Sequence, residues 1–230
     1  MNDKTDNPRV LGVVVCDLER GTFARTRSRA GDSFGKDGEG QGIPVVRRVI
    51  ERLSQVKGVT EIAVLARAGQ EQRIEHLLRG LPRVRVRTLI PRGESVDARV
   101  RIGRAWNPEA WRGGAGQWTF FDEEYHPAGI AAACAEAFGD PEGGGAEHVL
   151  VVHSHSVFLN VPMASALVEH HLHKNHEMRV TYTPSAPGLC GMLLRADIVQ
   201  EMGEKGVMPW ALLAYDPGSP TFDTLIRDAC

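Results

Sequence analysis

The chain has 230 residues and 42% hydrophobic content, so it is long enough to bury a substantial core. Its 27 Lys and Arg residues nearly balance its 29 Asp and Glu residues, which argues against nucleic acid as a partner. No apolar run approaches the roughly 20 residues of a membrane-spanning helix, so a membrane is not expected as a partner either.

The first half of the chain alternates between predicted strands and helices. Val10 to Cys16 is a continuous apolar run, typical of a strand that is buried on both faces. Residues 17–42 are rich in Gly, Ser, Arg and Asp without any period, and we predict a long loop there. Pro44 suits the first turn of a helix, and apolar residues recur at helical spacing from there to Leu53.

The same alternation continues to the C-terminal part of the chain. It predicts a doubly wound α/β sheet in which Val10–Cys16, Glu61–Ala66 and His148–Val152 are central parallel strands. The loops after such strands meet at one edge of the sheet, where ligands bind. The other predicted elements are helices over 70–78, 96–106, 127–138, 162–173 and 196–202, and strands over 84–90 and 179–183.

Residues 1–9 are predicted to be a disordered tail, and residues 10–230 a single α/β domain. The end of the sequence, rich in Pro, Gly and Asp, leaves open a continuation past Cys230. The polar N-terminus lacks the apolar core of a signal peptide. The four cysteines are far apart and form no C-x-x-C pair, so we predict a cytoplasmic protein with free thiols.

The loop 17–42 is a first candidate site, because its backbone amides and its Arg and Lys residues could wrap the phosphates of a nucleotide, although a solvated loop explains its composition equally well. Two histidines at the end of a predicted strand form a second candidate site. His153 and His155 are two residues apart and therefore point to the same face, where they could bind a transition metal or transfer protons. One packed and one exposed histidine explain the pattern equally simply, and we favour that interpretation over a metal. A third ligand would have to come from Asp122, Glu123, Asp216 or Asp223.

Three further segments have simpler structural explanations. His170, His173 and His176 share a helical face, which suits a solvated helix end better than a metal site. Residues 111–124 combine glycines with aromatics, and Arg112 and Asp122 could contact a ligand there, although the aromatics could equally anchor a loop over the core. Residues 183–191 have the composition of a proline-set turn.

Two stretches of sequence resemble the sugar-nucleotide and cytidylyl transferases. GIPVVRRVIERL (residues 42–53), followed by VTEIAVLA (59–66), is similar to their Gly-x-Pro helix start and the strand after it. LVVHSHSVFLNVP (150–162) resembles a segment of these enzymes in which a strand is followed by Gly-Asp-x-Pro and then by apolar residues. The nearest group is the acid-sugar cytidylyltransferases, including spore-coat polysaccharide relatives, and the likeness follows the order of elements over roughly residues 10–200.

The resemblance implies a GT-A-like nucleotidyltransferase: a Rossmann-like three-layer α/β/α sandwich with a mixed, mostly parallel sheet. It implies transfer of a cytidylyl group from CTP to a sugar or sugar acid, with Mg²⁺ as cofactor. A nucleoside triphosphate and a sugar-type acceptor would be the partners, and a homodimer is possible. The residues implied are Asp17, Gly21, Thr22, Arg25, Arg27, Lys36, Ala66 and Arg67 for the nucleotide, Arg112, Asp122 and His153 for the acceptor, and His155 and Asp216 for catalysis.

The sequence also departs from the pattern of these enzymes. Asp17 and Glu19 stand where a glycine-rich loop would hold phosphates, and their charge would repel them. The metal-binding Asp falls on His155, and imidazole is a poor substitute because Mg²⁺ prefers oxygen ligands. These departures keep a second hypothesis open, a catalytically degenerate domain that binds a nucleotide or a protein partner. A GT-A glycosyltransferase ranks last, because the sequence has no D-x-D motif.

Overall fold

Eight strands and five α-helices make up the part of the chain that the computed structural model describes. That part covers residues 9–18, 33–36, 42–90, 128–139, 145–154, 156–174, 176–183 and 189–205. In chain order the elements are β1 (Val10–Cys16), β2 (Ser33–Lys36), β3 (Gly42–Pro44), α1 (Val45–Leu53), β4 (Val59–Ala66), α2 (Glu71–Leu77), β5 (Val84–Thr88), α3 (Ala128–Ala135), a 3-10 turn (Ala137–Gly139), β6 (His148–His153), α4 (Val161–Lys174), β7 (Val180–Thr181), β8 (Met192–Arg195) and α5 (Ala196–Lys205).

Six of these strands form one mixed sheet in the order β5-β4-β1-β6-β8-β7. β1 pairs in parallel with both β4 and β6, and β4 pairs in parallel with β5. β8 is antiparallel to both of its neighbours, β6 and β7. The prediction that β1, β4 and β6 are central parallel strands is therefore confirmed, and so is a mixed, mostly parallel sheet.

The alternation of side chains along β1 builds a core on each face of the sheet. Val10 and Val14 pack on the side of α1, α2 and α4, whereas Leu11 and Val13 pack on the side of α3 and α5. Gly12 lies in the middle of this strand because a Cβ there would meet Leu53 Cδ2 of α1 at 2.9 Å. The two helical layers confirm the predicted three-layer α/β/α architecture.

Helix α1 forms where the sequence predicts it. It begins directly after Pro44 and buries its apolar stripe against the sheet, with Val46, Val49, Ile50 and Leu53 all fully enclosed. The chain then turns toward β4 through Gly58, whose φ of +90° lies in the left-handed region that favours glycine. The local pattern and the tertiary packing therefore agree throughout this segment.

Some predicted elements differ from the observed ones. The loop predicted over residues 17–42 contains β2, which pairs with β3 in a small antiparallel sheet, so a continuous loop was wrong. Strand β8 was not predicted, because it has only four residues, three of them apolar, and it leads straight into α5. The helix predicted over 127–138 ends at Ala135, and the helix predicted over 96–106 lies outside the described residues. None of the described helices is long and apolar enough to cross a bilayer.

Two histidines pack together at the start of β6. The ring of His171 on α4 is fully buried, and its Nε2 lies 3.1 Å from Nδ1 of His148. Its Nδ1 lies 2.7 Å from Oγ1 of Thr181 on β7. The two rings meet edge to face, with their centroids 4.9 Å apart. This contact ties α4 to two strands of the sheet through neutral imidazoles.

The surroundings of the pair disfavour its protonation. Burial is the main cause that lowers the pKa of His171 to about 4. Burial also lowers the pKa of His148. The charged or titratable groups that face the pair are His170 and His176 near the end of α4, Arg195 of β8 and Asp197 of α5; of these only Asp197 acts against the shift.

We expect the protein to lose stability as the pH falls from 6.5 toward about 4. Below 6.5 the unfolded chain binds protons that the folded pair does not, so protonation favours unfolding; above it the stabilisation is fully present. Each such proton lowers the free energy of unfolding by at most about 1.4 kcal/mol per pH unit. Thermal unfolding over a series of pH values measures this slope.

A matched pair of variants assigns the slope to the buried ring. His171→Gln removes the titrating group and should flatten the dependence of the melting temperature on pH. His173→Gln removes an exposed histidine of the same helix and should leave that dependence as in the wild type. Equal slopes in the wild type and in His171→Gln would contradict the assignment.

Candidate nucleotide site at the carboxyl edge of the sheet

The carboxyl ends of three neighbouring strands meet at one edge of the sheet. Cys16 at the end of β1 lies opposite Ala66 at the end of β4, and Val15 lies opposite His153 at the end of β6. Because the three strands are parallel, the chain leaves all of them on the same side. The segments that begin at Asp17, Arg67 and Ser154 are therefore brought together from distant parts of the sequence.

Backbone hydrogen bonds between neighbouring strands continue into the first residue after each strand. The N–H of Arg67 donates to the carbonyl of Cys16 at 3.1 Å, and the N–H of Ser154 donates to that of Val15, also at 3.1 Å. The N–H of Leu89 donates to the carbonyl of Ala66 at 2.6 Å. The edge is thus a fixed surface across β5, β4, β1 and β6.

A network of three polar side chains joins the end of β1 to the end of β4. Nη1 of Arg67 donates to Oδ2 of Asp17 at 3.0 Å, and Nε2 of Gln70 donates to Oδ1 of the same carboxylate at 3.0 Å. Oε1 of Gln70 accepts from the backbone N–H of Leu18 at 2.8 Å. The side chain of Asp17 is only 11% exposed, whereas that of Arg67 is 50% exposed.

In this network the charge of the acidic residue after β1 is compensated within the protein. From the sequence alone, Asp17 is a negative charge that repels phosphates. In the fold its two oxygens both accept hydrogen bonds, and Arg67 compensates its charge. The surface that remains open to an incoming ligand is the exposed half of the Arg67 guanidinium, which suits an anion.

Sequence reasoning named Asp17 and Arg67 separately and did not identify Gln70. Asp17 and Gln70 are 53 positions apart in the chain. Only the parallel register of β1 and β4 brings them together. A glutamine directly before a short helix was the single local signal, and it does not distinguish a helix start from a site residue.

The end of β6 is buried more deeply. His153 is 5% exposed and shares its strand face with Val151, which packs on the side of α3 and α5. Ser154, the next residue, is hydrogen-bonded to the thiol of Cys16. Burial raises the pKa of that thiol to about 12; the Ser154 hydrogen bond lowers it and the Asp17 charge raises it further. Cys16 therefore stays a neutral thiol at the strand end.

The loop after β6 forms an ordered rim beside this edge. Nη1 of Arg52 on α1 donates to the carbonyl of Leu159 at 3.1 Å. The N–H of Asn160 donates to the carbonyl of Leu189 at 2.7 Å, and its side chain accepts from the N–H of Met163 in the first turn of α4. Phe158 lies on this rim with 63% of its surface exposed.

The described residues do not fit a magnesium site. Within the ranges that the structure covers, no three His, Cys, Asp or Glu side chains are grouped so that they could hold a metal ion. Mg²⁺ prefers oxygen ligands, and the one carboxylate of the Asp17, Arg67 and Gln70 network already accepts bonds from both partners. The histidines of this region do not form a cluster either: His170 and His173 on α4 and His176 beyond its end are exposed, and His171 turns inward to His148.

The structure describes only some of the residues named from the sequence. The structure places Asp17, Ala66, Arg67 and His153 at the carboxyl edge. Lys36 ends β2, opposite Gly42 of β3, and only its backbone is described. The remaining predicted site residues lie outside the described residues; they are Gly21, Thr22, Arg25, Arg27, Arg112, Asp122, His155 and Asp216.

Comparison with known proteins identifies the fold. No protein-family model matches the sequence, and no curated protein matches it significantly. A 4-diphosphocytidyl-2C-methyl-D-erythritol synthase from Anaerococcus prevotii superposes with a TM-score of 0.53 at 12% identity, over 100% of this chain and 88% of that one. This chain therefore shares the fold of that synthase, as the sequence resemblance predicts.

Two further solved structures were found. A cytidylyltransferase from Leptospira borgpetersenii gives a TM-score of 0.47 at 10% identity, covering 86% of this chain and 64% of that chain. A CMP:2-keto-3-deoxy-manno-octonic acid synthetase complexed with CTP gives 0.45 at 11% identity, covering 95% and 82%.

We expect the thiols of Cys16 and Cys134 to react slowly in the native protein, because burial raises the pKa of each to about 12. At pH near 8 their alkylation should be at least roughly a hundredfold slower than in denaturant, since the thiolate is the reactive form. Peptide mass spectrometry after timed alkylation measures each site. Rapid native labelling of the Cys16 peptide would mean that the end of β1 is open to solvent.

Proposed function

We propose that this protein binds CTP at the carboxyl edge of β1, β4 and β6, as a nucleotidyltransferase that transfers a cytidylyl group to a sugar or sugar acid. The observation that supports this most is the junction of three central parallel strand ends around a half-exposed arginine, Arg67. Open α/β sheets bind their ligands at such an edge. The fold shared with a 4-diphosphocytidyl-2C-methyl-D-erythritol synthase supports a reaction that forms a cytidylyl product.

The described residues suggest a division of roles around the nucleotide. Backbone groups after Ala66 are suited to recognise the base, because they keep fixed positions whatever the side chains are. Arg67 offers its exposed guanidinium to a phosphate. In the proposed reaction an oxygen of the acceptor attacks the α-phosphorus and loses its proton. The bond from the α-phosphorus to the bridging oxygen breaks, and pyrophosphate leaves.

Other parts of the proposal rest on the sequence resemblance. Arg25, Arg27 and Lys36 are the proposed phosphate ligands, and His155 and Asp216 the proposed catalytic pair. Mg²⁺ is the cofactor that the resemblance implies, and the described donors do not supply its ligands. A cytoplasmic location and a homodimer are predictions of the same kind.

A second candidate is a domain of the same fold that binds a nucleotide or a partner without catalysis. One specific observation favours it: the carboxylate of Asp17 is held by Arg67 and Gln70. The second candidate is also favoured by His155, which stands where the related enzymes have their metal-binding Asp. The two candidates share the pocket and differ only in turnover.

We expect calorimetric titration to detect binding of CTP, with an affinity that weakens as salt screens the basic groups. Arg67→Ala should weaken that affinity by about tenfold, the scale of one hydrogen bond to a charged group. Arg73→Ala, an exposed arginine on α2, is the matched control and should bind as the wild type does. Arg27→Ala tests the predicted phosphate ligand in the same way. No heat and no thermal shift with CTP, CMP or UTP would favour a partner-binding domain.

We expect only slow release of pyrophosphate from the four ribonucleoside triphosphates in the presence of Mg²⁺ and candidate sugar acids; no release at all would favour the second candidate, the domain that binds without catalysis. The reason is the histidine at the position of the metal-binding Asp. A coupled pyrophosphate assay measures the rate, with a no-enzyme blank as the control. Robust Mg²⁺-dependent turnover would show that the alignment of His155 is wrong and would establish the transferase.

A further inference from the structure

Hydrogen bonds fix Gln70 through both polar atoms of its side-chain amide and through its own backbone. The side chain is 9% exposed, its Nε2 donates to the Asp17 carboxylate, and its Oε1 accepts from the N–H of Leu18. Its backbone N–H donates to the carbonyl of Arg67 at 3.0 Å, and its carbonyl accepts from Ile74 at 2.9 Å in the first turn of α2. One residue thus connects the end of β1, the turn after β4 and the start of α2.

The chemistry at this point requires an amide. The group must donate one hydrogen to a carboxylate and accept one from a backbone N–H, and glutamine does both without a charge. Glutamate has nearly the same shape, but it would place a second carboxylate about 3.0 Å from the first. A lysine or arginine would have no acceptor for the N–H of Leu18.

Two separate donors hold the Asp17 carboxylate, and only one of them is accessible. Arg67 donates to Oδ2 and is half exposed, whereas Gln70 donates to Oδ1 and is buried. An anion that contacts Arg67 from solvent competes with Asp17 for the guanidinium. Loss of the buried donor would weaken the hold on the Asp17 carboxylate, and the carboxylate would then move toward that anion and repel it.

We propose that Gln70 is a positioning residue of the nucleotide pocket: its amide keeps the Asp17 carboxylate against the end of β4, so that Arg67 is available to the phosphates of a nucleotide. This inference rests on the proposed function, because it takes the anion at Arg67 to be a nucleotide phosphate. Gln70 itself touches neither the ligand nor the reacting atoms, and it acts through Asp17 and Arg67.

The test compares Gln70→Glu with Gln72→Glu by calorimetric titration with CTP. Gln72 is exposed on the first turn of α2, so its replacement adds the same charge without altering the network. Near pH 8 we expect Gln70→Glu to weaken binding by about tenfold and Gln72→Glu by less than about twofold. Equal affinities for Gln70→Glu and the wild type would overturn the proposal.

Acidification separates positioning from a general loss of structure. Two adjacent carboxyl groups share a proton readily, because the second charge raises their pKa. Near pH 6 that proton replaces the missing amide hydrogen, and the affinity of Gln70→Glu relative to the wild type at the same pH should recover to within about threefold. A deficit that stays the same at both pH values would overturn the positioning role.

Hydrogen exchange at the amide of Leu18 provides a readout that needs no ligand. Near pH 8 we expect exchange at least about tenfold faster in Gln70→Glu than in the wild type and in Gln72→Glu, because repulsion between the new carboxylate and that of Asp17 displaces the side chain that accepts from the Leu18 N–H. Failure of the wild type to bind any nucleotide would overturn the proposed function and, with it, the pocket. Unchanged exchange at Leu18 would overturn the positioning role by itself.

Discussion

The complete burial of β1 is the constraint on which the rest of the structure depends. This strand is covered by β4 and β6 along both edges and by helices on both faces, and all seven of its residues are buried. Every backbone N–H and C=O in such a strand needs a partner within the protein, because no water can reach it. Two parallel neighbours provide those partners, and they also fix where their own chain ends must emerge.

The candidate site is a consequence of that arrangement. Three apolar strands end at one level, and the first polar groups beyond them lie at the boundary between core and solvent. A carboxylate at this boundary is costly unless it is paired and hydrogen-bonded. Asp17 meets both conditions through Arg67 and Gln70. The same network that removes this cost leaves one cationic group facing outward.

The two opposite edges of the sheet show two ways of accommodating polar groups, one at the start of β6 and the other at the ends of β1 and β4. At the first residue of β6, the imidazoles of His148 and His171 contact each other as neutral groups, and burial lowers the pKa of both. The carboxyl edge holds a compensated pair of charges instead, at 11% and 50% exposure. Charge is retained at the edge where an anionic ligand would bind and is suppressed where the side chains serve packing alone.

The sequence by itself determined the central strands, α1 and the class of fold, because continuous apolar runs and helical spacing are local patterns, each contained within one segment of the chain. It also placed Ala66 at the end of one of those strands, and Asp17 and Arg67 directly after two of them. Tertiary structure alone decided that Asp17 pairs with Arg67, that Gln70 belongs to the site, and that His171 faces His148 rather than the exposed histidines of its own helix. It also decided the pairing of β2 with β3 and the place of β8. The physical reason is that each of these features depends on which strands are neighbours and in what register, and pairing between distant segments leaves no periodic trace in either one.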